Sequence, residues 1–297
     1  MKKIILLFVL IMPLITNAQI YPNIGQFQNV LLYYNPAYAG SASNMRATAL
    51  YRSQATKYPN APTTQLITVD APLGKNVGGG LVLNRYAIGD FYQVNVSANA
   101  SYQIKTGRES FLQFGLKAGV SQVDFGITNA LFRWDQDDPY FSSNATKGIV
   151  GTLGAGAYYK KKSFYAGLSI PDLVMIDPHK LYVDKATNKS LVNQNIFFMS
   201  GIKFNITDFI AIQPNVLVRY YATRPLNYYV NVSMIFNQTF TAGFGYVYSN
   251  VLALYSNVNI TPKILLGYRY EFSISPTANQ NYNSGGSSEI LLRYGFN

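Results

Sequence analysis

The chain has 297 residues, a formal net charge of +11 and no cysteine; 12% of its residues are charged and 15% are aromatic. The lack of cysteine excludes a disulfide framework, a thiolate metal site and a lipoprotein anchor. Soluble domains usually have about a quarter of their residues charged, so this composition favours a membrane environment.

The first eighteen residues have the pattern of a secretory signal peptide. Lys2 and Lys3 precede an apolar run over residues 4–15, and small residues lead to an expected cleavage after Ala18. The run is too short to cross a bilayer as a helix. Export also removes the chain from the cytoplasm, so its scattered basic residues do not indicate a nucleic-acid partner; solvated turns and contacts with lipid headgroups explain them better.

Residues 19–44 differ from the rest of the chain and predict an irregular lead-in on the periplasmic side, followed by a barrel over residues 45–297. The lead-in contains the turn-rich stretch 35–40, from which Asn35, Pro36 and Tyr38 are candidate partner-binding residues. Because this stretch precedes the first strand, we expect it to pack at the periplasmic mouth of the barrel. Whether it is a binding element or an internal plug stays open at this point.

The segment 91–104 alternates between apolar and polar residues over fourteen positions, with Phe91 the one apolar residue on the polar side. Such a period of two predicts a β-strand with one apolar and one polar face. Strands in soluble proteins average about five or six residues, whereas a tilted strand that crosses a bilayer needs about nine to eleven. The apolar face has aromatic residues near its ends, as expected for a lipid-facing stripe.

The same pattern recurs and predicts an all-β protein, a transmembrane antiparallel up-and-down β-barrel of about fourteen strands with short periplasmic turns and longer extracellular loops. Pro214 lies inside one of these strands and predicts a bulge or local break there. A soluble β-sandwich is the alternative fold, disfavoured by composition and export. The expected strands are 45–55, 63–72, 76–87, 91–104, 110–120, 149–159, 163–170, 194–206, 208–221, 226–237, 239–248, 251–260, 262–273 and 287–297.

The inward faces are expected to hold mainly Asn, Ser, Gln and Gly with few charges, which favours a filled interior over an open channel. Glycines recur in several strands, for example at Gly78, Gly154 and Gly156. They permit either the bends of a closed barrel or the close approach of another backbone, and we favour the bends.

No residue pattern predicts catalysis, a cofactor or a metal site. The only histidine, His179, has no accompanying nucleophile motif. Asp135, Asp137 and Asp138 lack the glycine and terminal glutamate of a calcium-binding EF-hand loop. The same long loop contains Phe132, Trp134, Tyr140 and Phe141, an aromatic cluster typical of protein-binding hot spots. This loop either contacts a partner or folds into the lumen, and both can hold.

One motif is more specific than the strand patterns: Gln26 and Phe27, followed by the Asn-Pro-Ala-Tyr-Ala-Gly stretch at 35–40. With the segments 51–54, 70–72, 158–159, 165–171, 267–270 and 288–294, it resembles the PorP/SprF family of Bacteroidota, outer-membrane proteins of the type IX secretion and gliding machinery. The resemblance runs along essentially the whole mature chain.

The resemblance implies a non-enzymatic accessory role in the outer membrane. The expected partners are membrane lipid and a secreted adhesin or other cargo with a C-terminal sorting domain. Periplasmic ring or translocon components of the secretion machine are further expected partners, and the role would be to support export and surface attachment of the cargo. The rival function is a porin-like channel for diffusion or uptake, which a charged constriction in the lumen would favour.

Overall fold

The computed structural model describes residues 24–124, 147–176, 195–221, 224–248, 250–274 and 285–296. The predicted signal peptide, His179 and the aromatic loop residues Phe132, Trp134, Tyr140 and Phe141 lie outside these ranges. No helix within them is long and apolar enough to cross a membrane.

The described residues form three short helical turns and fifteen strands. The turns are a 3-10 turn at Phe27–Asn29, a single α-helical turn at Leu31–Tyr34 and a 3-10 turn at Pro36–Tyr38. The strands are β1 (Arg46–Gln54), β2 (Thr63–Pro72), β3 (Val77–Ile88), β4 (Phe91–Gly107), β5 (Ser110–Asp124), β6 (Lys147–Lys161), β7 (Phe164–Ile176), β8 (Asn195–Ile202), β9 (Phe204–Asn205), β10 (Ile210–Tyr221), β11 (Arg224–Phe236), β12 (Phe240–Val247), β13 (Val251–Thr261), β14 (Ile264–Ser273) and β15 (Ser287–Gly295).

All strands belong to one antiparallel sheet that closes on itself. Chain neighbours pair in order, β10 pairs with β11, and β1 pairs with β15 along its whole length from Arg46 opposite Gly295 to Gln54 opposite Ser287. Because β8 and β9 occupy one position beside β10, the closed barrel has fourteen strand positions. The predicted fold and number of strands are therefore confirmed.

The break expected near Pro214 occurs in the neighbouring strand. β10 itself is continuous, and Pro214 lies opposite Val232 of β11. On its other side, pairing stops at Asn215 opposite Gly201 and resumes at Ile212 opposite Phe204, so β8 and β9 separate at Lys203. Proline has no backbone N–H to donate, which explains why the ladder is interrupted beside it.

The two faces of the wall are divided as the alternation predicts. In β4, Val96, Tyr102 and Ile104 point outward and are exposed, whereas Ser97 and Asn99 point into the lumen and are buried. In β11, Val232 is exposed outside and Asn231 is buried inside. Apolar residues thus form the outer belt, which is the surface that a bilayer requires.

Candidate functional site

Residues 24–40, which we call the luminal segment, lie inside the barrel. Ile24, Phe27, Ala37 and Ala39 are fully buried, and the segment leads into β1. Because it pairs with no strand, it satisfies part of its backbone locally: Val30 N–H donates to the Phe27 carbonyl at 3.0 Å, and Tyr38 N–H donates to the Asn35 carbonyl at 3.0 Å. The hydrophobic core of the described molecule is built around this segment.

One end of the luminal segment is held by a buried carboxylate. Glu289 of β15 accepts hydrogen bonds from the backbone N–H groups of Gly25 at 2.6 Å and Gln26 at 3.0 Å. Arg52 of β1 donates to Glu289 and also to Glu271 of β14, the latter at 2.7 Å. Charge-assisted hydrogen bonds of this kind are stronger than those between neutral groups.

The charges around Glu289 balance. Arg269 donates to Glu271 at 2.8 Å and to Asn231 at 3.0 Å, so two arginines and two glutamates form one buried cluster. Burying an ion is costly unless it is paired and hydrogen-bonded, and this arrangement meets both conditions. The cluster therefore forms a neutral but strongly directional attachment for the luminal segment.

Two further side chains of the wall bind this end of the segment. The Asn231 side chain donates to the Gly25 carbonyl and to Gln28 Oε1, both at 2.8 Å. Arg293 of β15 donates to the backbone carbonyl of Asn29, and to its side-chain oxygen at 3.2 Å. The first turn of the segment is thus bound by side chains from β11 and β15.

The other end of the segment packs against glycines of the wall. The Asn35 Oδ1 atom accepts from Ala37 N–H at 2.9 Å, and its Nδ2 donates to the Ala157 carbonyl of β6 at 2.9 Å. A methyl group on Gly156 would collide with the Asn35 side chain, and one on Gly115 would collide with the backbone of Ala37. These inward glycines leave the space that the segment occupies.

The segment leaves the lumen through a similar close contact. The Ala39 carbonyl accepts from Ser101 Oγ at 2.7 Å and from Gln113 Nε2 at 2.8 Å, and a side chain on Gly78 would collide with it. Gly40 follows with a φ of +63°, a conformation that favours glycine. The chain turns there towards β1.

Aromatic contacts fill the space between the two ends. Tyr34 lies 5.1 Å from Phe197 between ring centroids, and Phe27 lies 6.4 Å from Tyr229. Burial raises the pKa of the Tyr34 hydroxyl, which keeps it neutral as it donates to the Ile24 carbonyl. Such edge-on and tilted ring pairs stabilise beyond their buried area.

Three of the predicted site residues are in this segment. Asn35 and Pro36 are buried in the lumen, and the Tyr38 hydroxyl accepts from Arg46 at 3.2 Å. The stretch 35–40 was expected at the periplasmic mouth of the barrel. That position fits Gly40, which packs on Gly78, one residue into β3 from its turn with β2. The luminal segment extends from there through the barrel, because Gly25 contacts Glu271 and Glu289, each two residues from the end of its strand at the long link 274–286.

Two expectations about the lumen need correction. Asn, Ser and Gln are frequent on the inward faces as expected, but charges are more numerous than expected, since Arg52, Arg269, Glu271 and Glu289 point inward and are buried. Sequence analysis missed this cluster, although each member occupies an inward position of an alternating strand. We also expected the strand glycines to permit bends of the barrel. At Gly78 and Gly156 they instead leave space for the luminal segment.

Within the described ranges, no group of three or more His, Cys, Asp or Glu side chains could hold a metal ion. Glu271 and Glu289 are instead paired with arginines. The arrangement as a whole holds a segment of chain in place.

Comparison with known protein families finds one family model that matches this chain. The model of the family described as type IX secretion system membrane protein PorP/SprF matches residues 16–294. No curated protein sequence matches the chain.

Solved structures of outer-membrane proteins are similar at low identity. Omp33 of Acinetobacter baumannii is 11% identical, with 86% of this chain and 98% of that one covered and a TM-score of 0.48. The toluene transporter TbuX of Ralstonia pickettii is 9% identical, with coverages of 89% and 92% and a TM-score of 0.49. The monoaromatic hydrocarbon channel CymD is 11% identical, with coverages of 93% and 94% and a TM-score of 0.49. Since these scores are below 0.5, the barrel assignment depends on the strand pairing of the chain itself.

Proposed function

The chain belongs to the PorP/SprF family of type IX secretion system membrane proteins, and from this membership we propose that it is a non-enzymatic barrel that binds a secreted surface adhesin. The adhesin would be bound through its C-terminal sorting domain, with or without direct contact to the secretion apparatus. Its role would be to support export of the adhesin and its attachment to the cell surface. The family fixes the outer-membrane location and the secretion system; the adhesin and the contact are our proposal.

The observation that carries this proposal over a channel is the occupied lumen. The luminal segment contacts β3, β5, β6 and β7 on one side and β11, β14 and β15 on the other. A segment bound on nearly opposite sides of a barrel leaves little room for a diffusion path. The four charges of the buried cluster, Arg52, Arg269, Glu271 and Glu289, are also paired with each other, so this cluster does not form an open charged constriction.

We propose that the cargo contacts Phe132, Trp134, Tyr140 and Phe141, because clustered aromatic side chains supply large contact areas at low entropic cost. Binding of a partner at Asn35, Pro36 and Tyr38 stays a prediction. It would require the luminal segment to leave the barrel, because Asn35 and Pro36 are buried against the wall.

The test is an affinity pull-down of the tagged full chain from detergent-solubilised outer membranes, with mass spectrometry of the co-purifying proteins. We expect the wild type to recover a large secreted protein with a C-terminal sorting domain, or components of the secretion machine. A variant with alanine at 132, 134, 140 and 141 should lose that protein.

The matched control is Tyr58→Ala, which removes an exposed aromatic ring from the loop between β1 and β2 at the same end of the barrel. This control should recover the cargo, and heat-modifiable migration on gels should show that both variants still form barrels. A barrel that co-purifies with no partner and conducts ions in planar bilayers would contradict the proposal and favour the channel.

A further inference from the structure

A depression of about 480 Å³ lies on the outer surface of the barrel where the short turns are. Its walls are the β4–β5 turn, residues 106–110, and the β6–β7 turn with Lys161 and Lys162; Tyr159 of β6 forms its upper edge. This site is separate from the luminal segment, which lies on the inner side of the wall.

The two turns are fixed to each other, so the depression has a defined shape. Lys162 N–H donates to the Glu109 carbonyl at 3.1 Å, and the Lys162 ammonium lies 3.2 Å from the Glu109 carboxylate. Within the first turn, Thr106 Oγ1 donates to Ser110 Oγ at 3.0 Å. Bonds between and within the turns thus hold the groups that line the depression.

The depression is strongly basic. Its only carboxylate, Glu109, is paired with Lys162, whereas Arg108 and Lys161 are exposed and have no hydrogen-bond or ion-pair partner within residues 24–124 and 147–176. A free guanidinium and a free ammonium near hydroxyl groups form a suitable environment for a phosphate, which arginine binds in a bidentate manner.

The apolar belt begins directly beside the depression. Tyr159 lies opposite Leu112 on the neighbouring strand. The next outward pair along the wall is Phe114 and Tyr102, whose side chains are 49% and 54% exposed. Aromatic rings at the edge of an apolar belt mark the level of the lipid headgroups. The cations of the depression therefore lie at the depth of lipid phosphates.

We infer that this depression binds the headgroup phosphate of an anionic phospholipid in the leaflet at the short-turn end. Arg108 and Lys161 contact the phosphate, Thr106 and Ser110 supply hydroxyl groups, and Tyr159 packs against the upper part of the lipid. The short turns of outer-membrane barrels face the periplasm, so the lipid belongs to the inner leaflet. A lipid fits better than an acidic protein because the site continues into the lipid-facing belt.

The test compares two double variants of the full-length protein in detergent. Arg108→Ala with Lys161→Ala removes both free cations, and Lys75→Ala with Lys263→Ala removes two exposed lysines from short turns elsewhere on the barrel. After delipidation, native mass spectrometry follows titration with phosphatidylglycerol, with phosphatidylcholine and inorganic phosphate as comparison ligands.

We expect phosphatidylglycerol affinity to fall about tenfold or more in the first double variant and to stay close to wild type in the second, since each cation near a lipid surface contributes substantially. Phosphatidylcholine should bind equally weakly to all three proteins, and millimolar inorganic phosphate should not displace the lipid. Equal losses in both variants, no loss in either, or displacement by inorganic phosphate would overturn the inference. Unchanged lipid binding with loss of an acidic protein from cell extracts would also overturn it.

Discussion

The two ends of the luminal segment are held by opposite means. Residues 25–29 are bound by charged and amide side chains on β11 and β15 and contact β14, whereas residues 35–40 lie against inward glycines on β3, β5 and β6. At the first end the wall binds the segment through long charged and amide side chains. At the second end inward glycines let the segment approach the wall closely, and Ser101 and Gln113 donate to the Ala39 carbonyl. The comparison shows that the lumen is complementary to this segment at both ends. The complementarity comes from charged and amide groups at one end and from the space left by glycines at the other.

The charged end should be the more sensitive to substitution. Glu289→Ala would leave the N–H groups of Gly25 and Gln26 without their buried acceptor and Arg52 with Glu271 as its remaining carboxylate partner, so we expect the free energy of unfolding to fall by about 3–5 kcal/mol. Urea titration in lipid vesicles measures this quantity. Glu109→Ala is the control because its ion pair with Lys162 is exposed, and it should cost at most about 1 kcal/mol. A similar effect of the two substitutions would show that residues 25 and 26 are not bound at Glu289.

The glycine end should respond to added volume. In Gly115→Ala the new methyl group would meet the backbone of Ala37, and we expect a loss of about 1–3 kcal/mol in the same titration. Gly74→Ala is the control, since a methyl group there would have no heavy atom within 4 Å. If Gly115→Ala were as harmless as Gly74→Ala, the close packing at this end would be absent.

The smallest effect is expected from Asn35, whose side-chain amide bonds both to the segment itself and to the wall. Asn35→Ala would remove both the bond that caps the Pro36–Tyr38 turn and the bond to the Ala157 carbonyl, for an expected loss of about 1–2 kcal/mol. Asn259→Ala removes a comparable amide bond to a carbonyl, but an exposed one. A loss for Asn35→Ala that does not exceed that of the control would argue that Asn35 is not buried against β6.

The wall could be predicted from the sequence because each of its strands separates two different solvents. Lipid outside and a polar lumen inside impose a period of two, so the outward position of Val96 and Tyr102 follows from spacing alone. Even the interruption beside Pro214 follows from a local rule about a missing N–H.

The contents of the lumen depend on contacts between distant parts of the chain. Glu289 lies 264 positions from Gly25 in the sequence, and no local pattern relates them. Gly115 and Gly156 have the same spacing whether they permit a bend or a close approach. One feature did point to an internal segment: the apolar residues 30–34 precede the first strand and have no place in the lipid-facing belt.

The most direct test of the account is the accessibility of position 30, which lies between the two ends and is 2% exposed. The chain has no cysteine, so Val30→Cys introduces a single thiol of similar size, and Leu73→Cys introduces one at a site that is 71% exposed. In the folded barrel a hydrophilic maleimide should label position 73 quickly and position 30 only after unfolding. Equally fast labelling of both thiols in the folded barrel would contradict the claim that residues 24–40 are a fixed part of the lumen.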